Sequence, residues 1–208
     1  MGTEYVLAAC AVVMAYLVGS FPAGYLLGRL WGVNVLKHGS GRTGGTNVLR
    51  SAGPLAAVIT GALDVLKGAV AVWLAAQVTG SPPVEVLAGA AAILGHNHSL
   101  FLSFRGGAGV GTSLGALAAI YWPAALALIV LLLVMILVTR YASLGSLVTM
   151  TAMPLALAYL AWTGAQAWVY VAYGLLAWGI VLYSHRPNIH RLLSGTERRL
   201  GKRSPPAL

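Results

Sequence analysis

Residues 106–139 read GGAGVGTSLGALAAIYWPAALALIVLLLVMILVT and contain no charged side chain. About 20 apolar residues are enough for one helix to cross the ~30 Å hydrocarbon core of a bilayer. The run is therefore too long for one crossing, and we expect the chain to turn back at Tyr121-Trp122-Pro123. Hydrophobic residues make up 59% of the 208-residue chain and charged residues only 8%. The sequence predicts an all-α integral membrane protein with a single polytopic domain, residues 1–208.

Four further uncharged runs supply the other membrane spans: 5–28, 68–84, 86–104 and 141–185. The last is again too long for one helix, and it divides at Trp162-Thr163-Gly164. We predict seven transmembrane helices, with a basic tail over 185–208. The fourth and fifth are short, so six crossings remain an alternative. The predicted spans lie near 5–27, 53–78, 84–103, 107–121, 123–139, 143–162 and 166–184.

The basic residues predict how the protein is oriented. With seven spans, all thirteen Lys and Arg lie on one side of the membrane or in the adjoining half of it. Lys and Arg are enriched in cytoplasmic loops, so we expect the N-terminus outside and the tail in the cytoplasm. The net charge of +9 is then explained by topology, and we predict no nucleic-acid partner. The single Cys10 cannot form an internal disulfide.

The polar stretch GSGRTGGTNVLR at residues 39–50 is out of place in so apolar a chain. Its glycines can leave backbone N–H groups free to converge on an anion. Arg50 can hold an oxyanion such as phosphate through two parallel hydrogen bonds. The segment is a candidate phosphate site, and an ordinary flexible loop is the alternative.

A second glycine-rich segment, 106–111, leads into the fourth span. The free N–H groups and positive dipole of that helix start would face an anion on the cytoplasmic side. The segment lacks the G-K-[ST] ending of a P-loop, so it does not predict a nucleotide site. His96 and His98 lie two positions apart with no carboxylate or cysteine nearby, which favours polar packing over a metal site. We predict no metal and no cofactor.

Two acidic residues have predicted structural roles. Asp64 is the one acidic residue of the membrane interior, and Lys67 at i+3 lies on the same helix face. The two either pair or face a wet cavity, because an isolated charge there is costly. Glu197 is the only acidic residue of the predicted cytoplasmic loops and tail, which indicates that it clamps a neighbouring Arg.

Several separated segments resemble one family, the bacterial acyltransferases that transfer an acyl chain from acyl-phosphate to glycerol 3-phosphate (PlsY). The resemblance extends from the first span to the tail. Its segments are GYLLGR at 24–29, KHGSG at 37–41 with Gly44, Thr46, Asn47 and Arg50, DVLKG at 64–68, GH at 95–96, GG at 106–107 with Gly109, Val110 and Thr112, RY at 140–141 with SLGS at 143–146, and HR at 185–186 with Asn188, RLL at 191–193 and GTE at 195–197.

The resemblance implies transfer of an acyl group to the sn-1 hydroxyl of glycerol 3-phosphate, giving lysophosphatidate and phosphate in the first step of phospholipid synthesis. It implies no cofactor, a location in the bacterial cytoplasmic membrane with the active site on the cytosolic side, and contact with membrane lipids and possible association with an acyl-phosphate-producing enzyme. The implied catalytic residues are Ser40, Arg50, His185 and Asn188. The implied substrate- and phosphate-binding residues are Gly39, Gly41, Thr46, Asn47, Arg105, Gly106, Gly107, Gly109 and Thr112, and Asp64, Lys67 and Glu197 are structural.

The chain departs from that family at three positions that bear on charge. The family usually has Lys at the position of Ala108, Asn at that of Arg42 and Lys at that of Arg105. We hypothesise that Arg42 and Arg105 supply the positive charge that Ala108 lacks. Two alternative functions stay open at this point: a catalytically degenerate paralogue, and a transporter or binding protein for a phosphorylated metabolite.

Overall fold

The computed structural model describes residues 2–201, so Lys202 and Arg203 of the predicted basic tail lie outside the described residues. Within this range the chain is helical, as predicted, with one isolated antiparallel bridge between Ser99 and Arg105 and no strand. Short 3-10 turns cover Val35–Lys37 and Leu100–Leu102. The α-helices are α1 (Gly2–Ser20), α2 (Ala23–Leu30), α3 (Gly45–Ala52), α4 (Pro54–Thr79), α5 (Pro82–Asn97), α6 (Val110–Thr139), α7 (Ala142–Trp162), α8 (Val169–Ser184) and α9 (Arg186–Leu193).

Four segments are long and apolar enough to cross a membrane: Gly2–Leu30, α4, α6 and α7. The shorter α8 is also apolar. Large apolar side chains on the outer faces of the bundle are exposed, for example Val58 at 70% and Leu137 at 76%. Such a surface is unfavourable in water and is typical of a protein that contacts lipid.

The chain reverses direction inside α6. Tyr121 has an extended backbone with φ −157° and ψ 91°, two residues before Pro123. Gly111 near the start of α6 and Ile136 near its end line the same cavity. A straight helix of 30 residues would be about 45 Å long, so the two halves must lie side by side. The turn falls where the uncharged run predicts it.

Helix α5 ends at Asn97, whereas the sequence predicted a span continuing to 103. The following residues form a closed turn in which Ser99 N donates to Arg105 O at 3.2 Å and Phe104 N to Ser99 O at 2.9 Å. The helix stops there because the chain folds back over α5: Gly107 N donates to His96 O at 3.0 Å. Segment 106–109 is thereby placed against the end of α5.

Two glycines allow α4 and the first half of α6 to touch. A Cβ at Gly68 would lie 2.1 Å from Thr112 O, and one at Gly115 would lie 1.8 Å from Val65 O. Both positions exclude any side chain, as is common where membrane helices pack closely. The contact brings the N-terminus of α6 beside Asp64, since a Cβ at Gly111 would be 3.1 Å from Asp64 Cβ.

The core lies between α5, α6, α7 and α8. Its largest fully buried side chains include Ile93, Leu114, Met150 and Tyr173. The hydroxyl of Tyr173 donates to Ser113 O at 2.7 Å, which satisfies the one polar atom of that side chain. This packed core holds α6 and α8 in place, and the start of α6 and the end of α8 border the cavity described next.

Candidate active site

A cavity of about 230 Å³ lies at the end of the bundle where α3, α6, α7 and α9 begin. It brings together the four residues to which the resemblance gives catalytic roles, Ser40, Arg50, His185 and Asn188, although they are far apart in the chain. Its polar and charged lining also includes Arg42, Thr46, Asn47, Asp64, His96, Ser143, Ser146, Arg191, Glu197 and Arg198, and Gly44, Gly45, Gly61, Ala108, Gly109, Val110, Gly111, Leu132, Ile136 and Ala142 complete the wall.

Four helix N-termini converge on this cavity. Gly45 and Thr46 begin α3, Val110 begins α6, Ala142 and Ser143 begin α7, and His185 caps α9, which carries Asn188 in its first turn. The first-turn N–H groups of a helix have no intrahelical partner and carry partial positive charge. Four such ends around one space favour an anion.

Four guanidinium groups line the same space: Arg42, Arg50, Arg191 and Arg198. Burial, followed by the positive charge of Arg191, lowers the pKa of Arg42. Burial, followed by the charge of Arg198, lowers the pKa of Arg50. Both pKa shifts have the same causes, because the cations lie close together in a poorly solvated site. A bound anion would relieve their mutual repulsion.

Glu197 joins three elements around the cavity. Its Oε1 accepts hydrogen bonds of 2.9 Å from Ser143 Oγ and from Asn188 Nδ2, and its Oε2 accepts one of 2.8 Å from Arg191 Nε. Burial raises the pKa of this carboxyl, but the hydrogen bonds from Asn188, Arg191 and Ser143 outweigh burial, and the pKa is lowered overall. Glu197 is thus ionised at neutral pH and forms an ion pair with Arg191. A contact of this kind was predicted because Glu197 is the only acidic residue of the predicted cytoplasmic loops and tail.

Asn188 is held from both sides. Arg42 Nη1 donates to Asn188 Oδ1 at 3.3 Å, while Asn188 Nδ2 donates to Glu197. The other arm of Arg42 donates to the carbonyl of Ser184 at the end of α8. The amide of Asn188 therefore has a defined orientation, and Arg42 links loop 38–44 to the junction of α8 and α9.

His185 is buried at that junction. Its Nδ1 lies 2.9 Å from Val181 O, which requires the proton on Nδ1 and leaves Nε2 as an acceptor. Burial, more than the nearby charge of Arg42, lowers its pKa to about 4. His185 is therefore neutral at neutral pH, and an imidazole with a free acceptor nitrogen can take a hydrogen bond or a proton from a hydroxyl.

Asn47 organises the loop that carries Ser40. Its Nδ2 lies 2.9 Å from Val35 O, 3.1 Å from His38 O and 2.8 Å from Arg42 O, and its Oδ1 accepts the N–H of Ser40 at 2.9 Å. All of these partners of the Asn47 side chain are backbone atoms, and Asn47 is only 3% exposed. The N–H of Ser40 is used in this network, so it is not one of the free anion-binding groups that the glycine pattern suggested.

A buried cluster lies beneath the start of α6. Lys67 Nζ is 2.8 Å from Asp64 Oδ1, 2.7 Å from His96 Nδ1 and 3.1 Å from Phe21 O. The carbonyl of Phe21 is available because the chain leaves α1 at Phe21 and Pro22. The cluster joins the α1–α2 junction, α4 and α5, and Asp64 and His96 both reach the cavity wall. The two readings of Asp64, pairing and facing a cavity, are thus both realised.

Other predicted binding residues lie away from this cavity. Gly106 and Gly107 border a second opening of about 250 Å³, which shares only Arg42 with the first. Arg105 is exposed, and Thr112 is buried against Gly68. Gly39 and Gly41 are not part of the lining: both have positive φ and shape the turn around Ser40, and Gly41 N donates to His38 O at 2.9 Å.

Sequence reasoning did not select Ser143, Ser146, Arg191, Arg198 or Gly61 as site residues. Ser143, Ser146 and Arg191 lie within segments that resemble the family, SLGS at 143–146 and RLL at 191–193, so those three had a detectable signal. Gly61 has no local pattern that distinguishes it from a helix-packing residue.

Comparisons with known proteins identify the family of this chain. A family model described as Glycerol-3-phosphate acyltransferase matches residues 9–195. The chain belongs to the glycerol-3-phosphate acyltransferase family. The resemblance predicted from the sequence is thereby confirmed. Among proteins of this family, Glycerol-3-phosphate acyltransferase 2 of Moorella thermoacetica is 43% identical over 195 residues, covering 93% of this chain and 98% of that protein. A glycerol-3-phosphate acyltransferase of Synechococcus sp. strain JA-3-3Ab is 43% identical over 194 residues, covering 93% of each.

Solved structures of the glycerol-3-phosphate acyltransferase family share the fold. The crystal structure of PlsY (YgiH), an integral membrane glycerol 3-phosphate acyltransferase, in its glycerol 3-phosphate form, matches with a TM-score of 0.84 and 35% identity, covering 93% of this chain and 96% of that one. The lysophosphatidic acid form matches with a TM-score of 0.83, 35% identity, and coverage of 93% and 95%. This chain is therefore an integral membrane protein of the same helical architecture.

Proposed function

We propose that this chain transfers an acyl group from acyl-phosphate to the sn-1 hydroxyl of glycerol 3-phosphate, giving lysophosphatidate and inorganic phosphate. The observation that carries the proposal is the convergence of four helix N-termini and four guanidinium groups on one cavity. Both substrates carry phosphate, and such a site favours phosphate groups. Membership of the glycerol-3-phosphate acyltransferase family supports the same reaction.

In this mechanism the cavity holds and orients two phosphorylated substrates. Arg50 and the N-terminus of α6 bind phosphate, and Ser40 and Asn188 position the acceptor hydroxyl and the donor carbonyl. The hydroxyl oxygen attacks the carbonyl carbon, and the bond from that carbon to the phosphate oxygen breaks. The hydroxyl proton passes to the departing phosphate or to Nε2 of His185. Because acyl-phosphate has a good leaving group, orientation and charge stabilisation contribute more than a strong base.

Arg42 supplies the positive charge that the resemblance expects from Lys at position 108. Arg42 and Ala108 line the same cavity, so the guanidinium can approach a phosphate there from the side of loop 38–44. Its bonds to Asn188 and Ser184 also hold α9 against that loop. Arg105 is exposed and is not part of the lining, so we assign the compensation to Arg42 alone.

The protein crosses the cytoplasmic membrane seven times, with its N-terminus outside and the cavity on the cytosolic side. The reversal at Tyr121 supports two crossings within α6. The basic segments meet at the cavity end: Leu200 N donates to Arg140 O, and Arg199 Nε donates to Tyr141 OH. Positive residues mark the cytoplasmic side, where a separate enzyme would supply acyl-phosphate.

The test is phosphate release from palmitoyl-phosphate by purified protein in lipid, with and without glycerol 3-phosphate. We expect acceptor-dependent release, formation of lysophosphatidate, and near-complete loss of both in Arg50→Ala. Arg29→Ala is the matched control, because Arg29 is exposed and not part of the cavity lining, and it should retain activity.

An Ala108→Lys variant separates the alternatives. Activity only in this variant would identify a degenerate paralogue and refute the role of Arg42. No activity in either form, with uptake of glycerol 3-phosphate into vesicles, would refute the acyltransferase in favour of transport.

A further inference from the structure

We propose that the second opening, beside the active-site cavity, is a binding site for inorganic phosphate, and that Arg42 and Asn97 lie between the two spaces on the path of the ion. The inference rests on the proposed function, because inorganic phosphate is the leaving group of that reaction. It gives a role to a space that the acyl-transfer step does not use.

The two spaces are neighbours. Arg42 lines both of them. Gly106 and Gly107 border the second opening, and the next two residues of the same segment, Ala108 and Gly109, line the active-site cavity. Consecutive residues are only about 3.8 Å apart, so an ion released beside Gly109 lies close to the second opening.

The lining of the second opening is cationic. It contains two guanidinium groups and, among the residues that the structure describes, no carboxylate; its members are Arg42, Asn97, His98, Gly106, Gly107, Tyr183, Ser184, Arg186 and Pro187. A space with this charge favours an anion over a neutral ligand or a cation.

Arg186 is oriented but has free donors. Its Cζ lies 3.4 Å from the centroid of the Tyr183 ring, and its Nε donates to Tyr183 O at 3.0 Å. Its two Nη groups form no hydrogen bond with any residue of 2–201. A guanidinium can hold an oxyanion through two parallel hydrogen bonds, so Arg186 can bind phosphate without losing its contacts with Tyr183.

Arg42 can exchange one of its bonds for an anion. Its Nη1 donates to Asn188 Oδ1 at 3.3 Å, and its other arm donates to the carbonyl of Ser184. Both acceptors are neutral, and the first bond is long. A phosphate oxygen accepts a shorter and stronger bond from a guanidinium, so an ion that leaves the cavity can contact Arg42 on its way.

Asn97 distinguishes phosphate from other anions. It is 7% exposed, and its Nδ2 donates to Ser184 Oγ at 2.8 Å, but its Oδ1 has no hydrogen-bond partner in the described part of the chain. A Cβ at Gly109 would lie 2.9 Å from this Oδ1, so the unpaired acceptor lies between the two spaces. A buried unpaired acceptor is unfavourable, and a ligand that carries an O–H removes the cost. Inorganic phosphate keeps an O–H at neutral pH, whereas sulfate and a lipid phosphodiester have none.

The experiment is equilibrium dialysis of the purified full-length protein in detergent against radiolabelled inorganic phosphate. We expect two bound phosphates per chain, one in the active-site cavity and one in the second opening. Arg186→Gln should weaken the second by at least about tenfold, because hydrogen bonds from a charged donor are lost. The first should persist in this variant, which also shows that the protein is folded. Arg29→Gln is the matched control: Arg29 is exposed and outside both linings, so two phosphates should bind.

Competition with sulfate tests Asn97. In the unmodified protein sulfate should compete for the Arg186-dependent site at least about tenfold more weakly than phosphate. Asn97→Leu removes the acceptor at similar side-chain volume and should bring the two anions close to equal. Equal competition by sulfate in the unmodified protein would overturn the proposal, and so would phosphate binding that Arg186→Gln leaves unchanged.

Two comparisons separate this site from a lipid site and from the proposed function. In phosphatidylglycerol nanodiscs we again expect two bound phosphates; loss of the Arg186-dependent one there would mean that a lipid headgroup fills the opening, and would overturn the assignment to inorganic phosphate. Two bound phosphates in protein that transfers no acyl group would refute the proposed function and keep the phosphate site. Acyl transfer with a single bound phosphate would refute the second site alone.

Discussion

Replacing Asp64 with Asn tests the buried charge cluster beneath the active site. The side chains of Asp64 and Lys67 are each 6% exposed, and their charged atoms are 2.8 Å apart. His96 Nδ1 lies 2.7 Å from Lys67 Nζ, and it can accept a hydrogen bond but does not neutralise the ammonium. Asp64→Asn therefore leaves a positive charge in the membrane interior without its counter-ion.

The expected loss is large. Two unit charges 2.8 Å apart attract by about 6 kcal/mol at an effective dielectric constant of 20. Part of this attraction is offset by desolvation, and removing one partner of a buried pair typically costs about 3–5 kcal/mol. For a chain of this length such a loss lowers the melting temperature by about 10 °C. Lys67→Met should cost less, because His96 Nδ1 lies 3.4 Å from Asp64 Oδ1 and still gives that carboxylate a polar neighbour.

The assay is thermal unfolding in detergent, followed by tryptophan fluorescence. In the double variant Asp64→Asn, Lys67→Met both charges are absent, so we expect a smaller loss than in Asp64→Asn alone. Glu85→Gln is the control: its carboxylate accepts a 2.7 Å bond from Tyr170 OH that Gln can keep, so little stability should be lost. Additive losses in the double variant would refute the reasoning, since additivity means that the two charges do not interact.

Three further predictions concern the cavity and the helix contact that supports it. Arg42→Gln removes one cavity cation and the bond to Asn188, and a charge-assisted hydrogen bond contributes about 1.5–3 kcal/mol, so kcat/KM for glycerol 3-phosphate should fall at least about tenfold. Arg105→Gln should have little effect, and unchanged steady-state kinetics in both variants would contradict the role given to Arg42. The pKa of His185 is lowered from 6.5 to about 4, so the unfolded chain binds a proton that the folded one does not, and unfolding free energy should fall by up to about 3 kcal/mol between pH 6.5 and 4. His185→Gln should flatten that dependence in melting curves, and the same slope in both proteins would exclude His185 as its source. Gly115→Leu would place a side chain on the Val65 carbonyl, so the melting temperature and activity should both fall sharply, whereas unaltered melting would mean that α4 and α6 can separate freely.

The helical membrane architecture could be predicted because hydropathy is a local property. The run 106–139 exceeds one crossing whatever surrounds it, and Tyr121-Trp122-Pro123 interrupts it where the structure turns. The end of α5 was predicted less well. Residues 98–103 are uncharged and continue the apolar run, yet the helix stops at Asn97, because the closed turn from Ser99 to Arg105 and the bond from Gly107 N to His96 O replace helical hydrogen bonds.

The candidate site was predictable to the extent that its residues stand out from an apolar chain. Arg50, His185 and Glu197 have polar or charged side chains that no hydrophobic span requires, and they lie in segments with a family resemblance. Which of the polar residues contact one another was not predictable. Arg42 and Asn188 are separated by 146 positions, and Ser143 and Glu197 by 54, so no local pattern relates them.

The sequence by itself determined the class of protein and the positions of most helices, because composition and run length act over neighbouring residues. Only the tertiary structure decided which groups face the cavity. The side chain of Asn47 forms hydrogen bonds with the loop backbone, and Gly106 and Gly107 border a second opening. A Cβ at Gly61 would have no atom within 4 Å. These outcomes depend on how distant helices approach one another, and the close contact of Gly68 and Gly115 across α4 and α6 sets that approach.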